Sequence, residues 1–402
     1  MHRPTPALTG ALGLLALLGT AGAGPAGAAG PEAQAAAPRP TVRDVAQAVG
    51  VAATVNDEYG DTAVCDLDGD GTDDWVMGRH QLEGPQVFRG RPDGTMRLVQ
   101  VLPVADYHGS ACFDVVGDSR PELVLTVGAA QGTATNKSNA VFRAGAGGDL
   151  ERVEGALGLA DPTGRGRLVE PLDLDGDGRS DDVYLGNAPP EAQPSVNRLA
   201  RHADGGYTLL GGPVSETTNA RCASSGDYDG DGREDLFAGN GKGGRLWRND
   251  GRGGLVASGS FPYAEACALA RVDGDRHLDL VTASRTQLQV RLGNGSGGFR
   301  SVFTLAVPQA SGLAVGDLNA DGTADVYVTR ARVDDANQPD VLLLGDGTGR
   351  FENASGVLPT TRLGYGHSPQ VVKAGGRTRV IVLNGGGARG RKGPRQVLEF
   401  TP

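Results

Sequence analysis

The sequence predicts an all-β protein, a seven-bladed β-propeller of four-stranded antiparallel blades whose last blade is completed by the N-terminal strand. Three observations predict it. An acidic nine-residue segment recurs along the 402 residues, a short apolar run follows each copy, and Gly-rich turns separate further short strands. Gly supplies 65 residues and aromatic residues only 5%, a composition of many tight turns rather than of a helical bundle.

The acidic segments begin at 66, 114, 173, 227, 271 and 317, and a seventh copy without acids, VVKAGGRTR, covers 371–379. Spacings of 44 to 59 residues fall in the range of propeller blades. In each repeat a small-residue strand precedes the acidic segment and an apolar strand follows it: WVMG (75–78), LVLTVG (123–128), DVYLGN (182–187), LFAGN (236–240), LVTAS (280–284), VYVTR (326–330) and VIVLN (380–384). Third strands come next, such as QVFRG (86–90), RLWRND (245–250) and QVLEF (396–400). Turns such as RPDG (91–94), GNGSGG (293–298) and GDGTGR (345–350) then lead to a fourth strand, because Asp-Gly and Asn-Gly favour tight hairpins.

The seventh repeat ends at Pro402 after three strands, so its fourth must come from elsewhere. Residues 41–51, TVRDVAQAVGV, resemble RFENASGV (350–357) and LERVEGALGLA (150–160) from the fourth-strand regions of other repeats. They are expected to close the ring and hide two strand edges; a short helix in RDVAQAV is the alternative.

Four acidic segments are intact, with side-chain oxygens at positions 1, 3, 5 and 9 and Gly at position 6. The candidate ligands are Asp66, Asp68, Asp70 and Asp74; Asp173, Asp175, Asp177 and Asp181; Asp227, Asp229, Asp231 and Asp235; and Asp317, Asn319, Asp321 and Asp325. Ca²⁺ takes several hard oxygen ligands, and a Gly turn lets alternate side chains converge on one ion. About four structural Ca²⁺ ions are expected, with acidic turns satisfied by water and Arg as the alternative. In the second segment Asp114, Asp118 and Glu122 offer a weaker set, since Val116 and Ser119 break the pattern. The fifth carries Arg271 at position 1; its guanidinium is expected to replace the metal by pairing with Asp273, Asp275 or Asp279.

Residues 1–28 read as a signal peptide, with His2 and Arg3 before an apolar stretch and Ala-x-Ala sites after it; a retained N-terminal anchor is the alternative. Residues 29–40 form an Ala/Pro/Gly-rich leader and residues 41–402 the propeller. No second apolar stretch suggests a membrane span. The net charge of −10 argues against a nucleic-acid partner. A secreted or periplasmic location suits the four cysteines, which favour two disulfides. Each Cys lies one to five residues before a first position. Cys65–Cys112 and Cys222–Cys267, joining consecutive repeats, are the simplest pairing; free buried thiols are the alternative.

DxDGDGxxD before an apolar strand, with NGSGGF or GDGTGRF closing a blade, resembles the FG-GAP/VCBS repeats of integrin-α-type propellers over essentially the whole predicted propeller. VRDVAQAVGV also resembles the start of cartilage-acidic-protein-like members. The resemblance implies the propeller and the calcium. It implies no single activity, because such propellers serve as adhesion domains, lectins and polysaccharide-lyase scaffolds, so function has to be argued from a site.

In that family, ligands meet the face opposite the calcium loops, reached by residues six to eight positions before each acidic segment. Tyr59, Tyr107, Tyr263 and Tyr365 lie there, half of the chain's eight tyrosines. His108, Arg221, Glu265 and His367 lie beside them. Aromatic faces with a few polar groups suit a sugar ring or a peptide side chain; packing of the tyrosines between blades is the bland alternative. The expected function is a monomeric, non-catalytic binding or adhesion module for an extracellular glycan or protein. A lyase or hydrolase at the propeller mouth is the second reading, and no HExxH or GxSxG motif supports it.

Overall fold

The computed structural model describes residues 38–402 apart from 53, 57–59, 80–82, 129–137, 190–195, 204, 217, 332–337, 360–364 and 386–391. The signal peptide, most of the leader and Tyr59 lie outside the described residues.

Seven four-stranded antiparallel sheets form the ring. Blade 1 runs Thr62–Cys65, Asp74–Met77, Gln86–Gly90 and Met96–Val101. Blade 2 runs Tyr107–Phe113, Glu122–Val127, Ala140–Ala144 and Leu150–Val153. Blade 3 runs Gly166–Leu172, Asp182–Asn187, Arg198–Ala203 and Gly206–Leu210. Blade 4 runs Ala220–Gly226, Asp235–Asn240, Gly243–Asn249 and Leu255–Phe261. Blade 5 runs Ala266–Ala270, Asp279–Ala283, Gln287–Gly293 and Phe299–Ala306. Blade 6 runs Ala310–Gly316, Asp325–Arg330, Val341–Gly345 and Phe351–Asn353.

Blade 7 takes Tyr365–Ala374, Arg377–Gly385 and Gln396–Thr401 from the C-terminus and Thr41–Asp44 from the N-terminus. Thr41 pairs with Thr401 and Asp44 with Leu398. The expected closure holds, but the strand is short. Asp44 Oδ1 accepts a hydrogen bond from Ala46 N at 3.0 Å, and Val49 N bonds back to Val45 O. That single turn is what remains of the helical alternative.

The second strands explain the apolar runs. Leu123, Val124 and Leu125, like Leu236 and Phe237, are buried on both faces of their blades, because each blade packs against two neighbours. One core cluster joins Val76 and Val87 of blade 1 to Leu123, Leu125 and Phe142 of blade 2. Another joins Val281 and Val290 of blade 5 to Val326, Val328 and Leu343 of blade 6. Outer strands such as Phe299–Ala306 bury little, so they alternate and carry polar residues.

Both disulfides form as the simplest pairing predicts. Cys65–Cys112 ties blade 1 to blade 2 with Cα atoms 6.2 Å apart, and Cys222–Cys267 ties blade 4 to blade 5 at 5.8 Å. Such bonds suit an extracellular or periplasmic environment. Among the described residues no helix is long and apolar enough to cross a membrane.

Candidate functional site

The acidic loops join the first and second strands of a blade and share one face of the ring. Their first residue organises the backbone. Asp66 accepts hydrogen bonds from Gly69 N (2.7 Å), Asp70 N (3.0 Å) and Gly71 N (2.8 Å). Asp114, Asp173, Asp227 and Asp317 each accept from the residue five positions on, at 2.8 to 3.1 Å. That sixth residue sits at positive φ, 87° for Gly71 and 70° for Ser119, a conformation that Gly adopts freely and Ser does not.

In blades 1, 3, 4, 5 and 6 the last acid of the loop is a blade staple, whereas among the described residues Glu122 of blade 2 bonds only Val115 N and Val116 N of its own loop. Asp235 accepts from Tyr228 N at 3.3 Å and from Asn249 N, at the end of the third strand, at 2.8 Å. Asp74, Asp279 and Asp325 make the equivalent pair of bonds. In blade 3 this place belongs to Asp182, which bonds Leu174 N and His202 N. Asp181, expected there, lies one residue short and faces Arg179 and His202 instead. The loop holds one extra residue, which nine-residue spacing cannot reveal.

Three groups of carboxylates place their oxygens within 4.8 Å of one another: Asp66, Asp68 and Asp70; Asp173, Asp175 and Asp182; and Asp227, Asp229 and Asp235. Burial, reinforced by neighbouring carboxylates, pushes Asp182 up to about 6 and Asp235 up to about 7, and raises Asp229. Crowded acids whose charges oppose one another are a fitting donor set for a hard cation. In blade 1 Arg89 reaches into the loop, bonded to Asp74 and 3.3 Å from Asp68, so part of that charge is already balanced. In blade 6 Asn319 donates to Asp321 Oδ2 at 2.8 Å while its oxygen accepts from Asp321 N.

Two loops differ. In blade 2 Arg179 of blade 3 binds Asp114 at 2.8 Å, supplying a cation to the incomplete site. In blade 5 the polarity is inverted. Arg271 Nε donates to the carbonyl of Arg276 at 3.0 Å, where other loops have a carboxylate accepting from the sixth N–H. Arg276 replaces the Gly, so its peptide presents oxygen instead of N–H. The guanidinium therefore meets a carbonyl and makes no ion pair with Asp273, Asp275 or Asp279.

The opposite face opens into an axial cavity of about 650 Å³ lined by first strands from around the ring. Its charged groups are Asp61, His108, Arg167, Glu170, Arg221 and Glu265. Bulges put several of them there. The first strands of blades 2, 3, 4, 6 and 7 slip register near their starts, and the skipped residues include His108, Arg167, Arg221, Ser311 and Ser368, all of which line the cavity. Bulges re-aim side chains in this way. Gly109 beside one bulge allows close approach, since a Cβ there would lie 2.5 Å from Leu168 Cα.

Ion pairs cross the cavity wall. Arg221 Nη1 lies 3.3 Å from Glu265 Oε1, and Arg285 Nε lies 3.5 Å from Glu265 Oε2. Arg167 contacts the His108 ring, whose Nε2 is 3.3 Å from Asp106; burial and the nearby Arg165 pull Arg167 down to about 10. Burial pushes Glu170 up to about 7, despite bonds from Ser225 N (2.8 Å) and Ser225 Oγ (3.0 Å). It likewise raises Asp61, bonded by Ser368, to about 6. A second pocket of about 720 Å³ adjoins the cavity at Asn219 and Arg221 and includes Tyr263, Lys242 and Arg285.

The expected tyrosine ring is only partly assembled. Tyr263 is half-buried and lines the second pocket. Tyr107 is a correction: it is 2% exposed and packs in the core between blades 1 and 2. It lies seven residues before its acidic segment, and alternation along the strand turns it into the blade interface. His108, one residue on, reaches the cavity. Tyr365 and His367 begin the first strand of blade 7, their side chains lying outside what is described. Arg167, Lys242 and Arg285 were missed. Arg167 was detectable, because position −6 reads His108, Arg167, Arg221, Glu265 and Ser311 in blades 2 to 6. Lys242 and Arg285 sit in turns after the second strand, where no recurrent offset marks them.

Residues 271–328 match the FG-GAP-like repeat family, which together with seven blades supports the relationship inferred from the loops. A lectin of Agrocybe aegerita, described as recognising non-reducing terminal N-acetylglucosamine, is 17% identical over 77% of this chain and 83% of its own, with a TM-score of 0.50. That likeness concerns the fold. No curated protein matches the chain.

Proposed function

We propose that this protein is a secreted, calcium-stabilised propeller that acts as a monomeric, non-catalytic binding module for an extracellular glycan. One observation carries the reading: Tyr263 stands in an open pocket beside Arg221 and Arg285, on the face away from the acidic loops. An aromatic ring flanked by fixed hydrogen-bonding groups is a stacking surface for a sugar. The lectin neighbour is consistent with a propeller used for carbohydrate. About four Ca²⁺ ions are assigned a structural role, held by the intact loops of blades 1, 3, 4 and 6, with Asp182 joining the blade 3 set. VRDVAQAVGV further suggests a cartilage-acidic-protein-like member of the VCBS group.

A glycan array probed with the purified protein tests the reading. Binding to a defined sugar set that Tyr263→Ala abolishes, without lowering the melting temperature, is expected. Equal binding by the variant would place the site elsewhere, and binding confined to a protein array would reassign the ligand class. The cavity acids Asp61 and Glu170 support a lyase or hydrolase as the second reading, because raised carboxyl pKa values suit proton transfer. Turnover of a bound glycan that Glu170→Gln removes would favour it.

A further inference from the structure

We propose that the pocket between blades 4 and 5 takes an acidic glycan, a sugar whose anionic substituent is held by Arg221, Lys242 and Arg285 while its ring rests on Tyr263. The inference deepens the glycan reading above and rests on it.

The charge distribution carries it. The chain has a net charge of −10, yet three cations converge on one pocket of about 720 Å³. They come from separate elements. Arg221 is the bulged residue of the first strand of blade 4. Lys242 occupies the two-residue turn between Asn240 and Gly243 in the same blade, with its backbone N bonded to Asn240 Oδ1 at 2.8 Å. Arg285 occupies the corresponding turn of blade 5, where its carbonyl accepts from Gln309 N at 2.7 Å. Three unrelated positions bring their charges together only because two blades meet here.

The acid nearest to them, Glu265, does not cancel the group. It is 9% exposed and lines the adjoining axial cavity rather than this pocket, touching Arg221 on one oxygen and Arg285 on the other. A guanidinium has five donors in a fixed fork. Glu265 draws one hydrogen bond from Arg221, which leaves donors directed elsewhere. It is thus a positioning residue that sets the spacing of two arginines. Lys242 makes no ion pair among the described residues. The pocket keeps an excess of positive charge, and an anionic group entering it gains charge-assisted, bidentate bonding from Arg. A neutral sugar gains none of that. The carboxylate of a uronic acid and the sulfate of a sulfated sugar share this chemistry.

Binding of three oligosaccharides by calorimetry tests the inference: an oligouronate, the same chain with its carboxyls reduced to alcohols, and a sulfated analogue. The oligouronate or the sulfated chain should bind at least about tenfold more tightly than the neutral one, with affinity falling as salt rises. Which of the two binds identifies the anion. Arg285→Gln and Lys242→Ala should each weaken the acidic ligand about three- to tenfold. Arg300→Gln, an exposed change on the outer strand of blade 5, should not. Equal affinity for acidic and neutral chains, both lost in Tyr263→Ala, would overturn the charge assignment and leave the glycan reading standing. Absence of binding to all three, with the array also blank, would overturn both.

Discussion

On the loop face, the first position of the repeat does one job in blades 1, 2, 3, 4 and 6. An aspartate there accepts backbone N–H groups and folds its own turn. On the mouth face, the position six residues earlier varies around the ring, with Arg repeated only in blades 3 and 4 of blades 2 to 6: His108, Arg167, Arg221, Glu265 and Ser311. The ring is built from what repeats. A single directional pocket at the axis needs what does not repeat, because sevenfold sameness offers no direction. The difference separates scaffold from site within one sequence motif.

Removing the ions should break the comparison most strongly. Each loop left empty keeps mutually repelling carboxylates. A site held at a hundredfold above its Kd contributes about 2.7 kcal/mol. At roughly 2 °C per kcal/mol for a domain of this size, full chelation should lower Tm by on the order of 20 °C. Asp229→Ala should take about a quarter of that. Scanning calorimetry in EGTA and in millimolar Ca²⁺ reads both, and identical melting would remove the structural role of calcium.

Breaking one inter-blade covalent tie comes next. Cys222→Ser with Cys267→Ser opens a link spanning 45 residues and should cost about 2–4 kcal/mol. Denaturant melts should show a lower midpoint with Ca²⁺ still stabilising the variant.

The mouth face should respond to pH through Glu170. Its folded pKa, about 7, is raised above the ordinary 4.5. The native state therefore binds more protons than the unfolded state between those values, and stability falls as pH rises through that window. Glu170→Gln should remove the penalty and stabilise the protein at pH 8 by about 1–2 kcal/mol, a figure reduced because the residue is only half-buried where it lines the cavity. It should change little at pH 4. Melting temperatures across pH 4 to 8 check this, and an unchanged slope would count against it.

The smallest effect sharpens the loop side. Blade 5 lost an acid and a Gly together, at Arg271 and Arg276. Arg271→Asp alone would face a carbonyl. Arg271→Asp with Arg276→Gly should restore the turn and add one bound Ca²⁺ per chain, measured by equilibrium dialysis. An added ion with the single change would show that the peptide orientation is not decisive.

These contrasts explain what could be seen in advance. The blades were legible because doubly buried second strands must be apolar and acidic turns must recur between them. The closing strand was legible because a three-stranded last repeat leaves an edge. Asp182 was hidden by a single inserted residue, and Tyr107 was misassigned because a one-residue step along a strand reverses its face. Lys242 and Arg285 were hidden because their meeting depends on two blades packing together, which no single repeat encodes.

The division of labour between the faces is the central claim. It is tested most directly by measuring glycan binding and melting temperature together for Asp229→Ala and Tyr263→Ala, with binding measured well below both transitions. Asp229→Ala should melt lower and bind as the unaltered protein does, while Tyr263→Ala should melt unchanged and fail to bind. If Asp229→Ala loses binding while folded, or Tyr263→Ala melts early and still binds, the two faces are not separate and the account is contradicted.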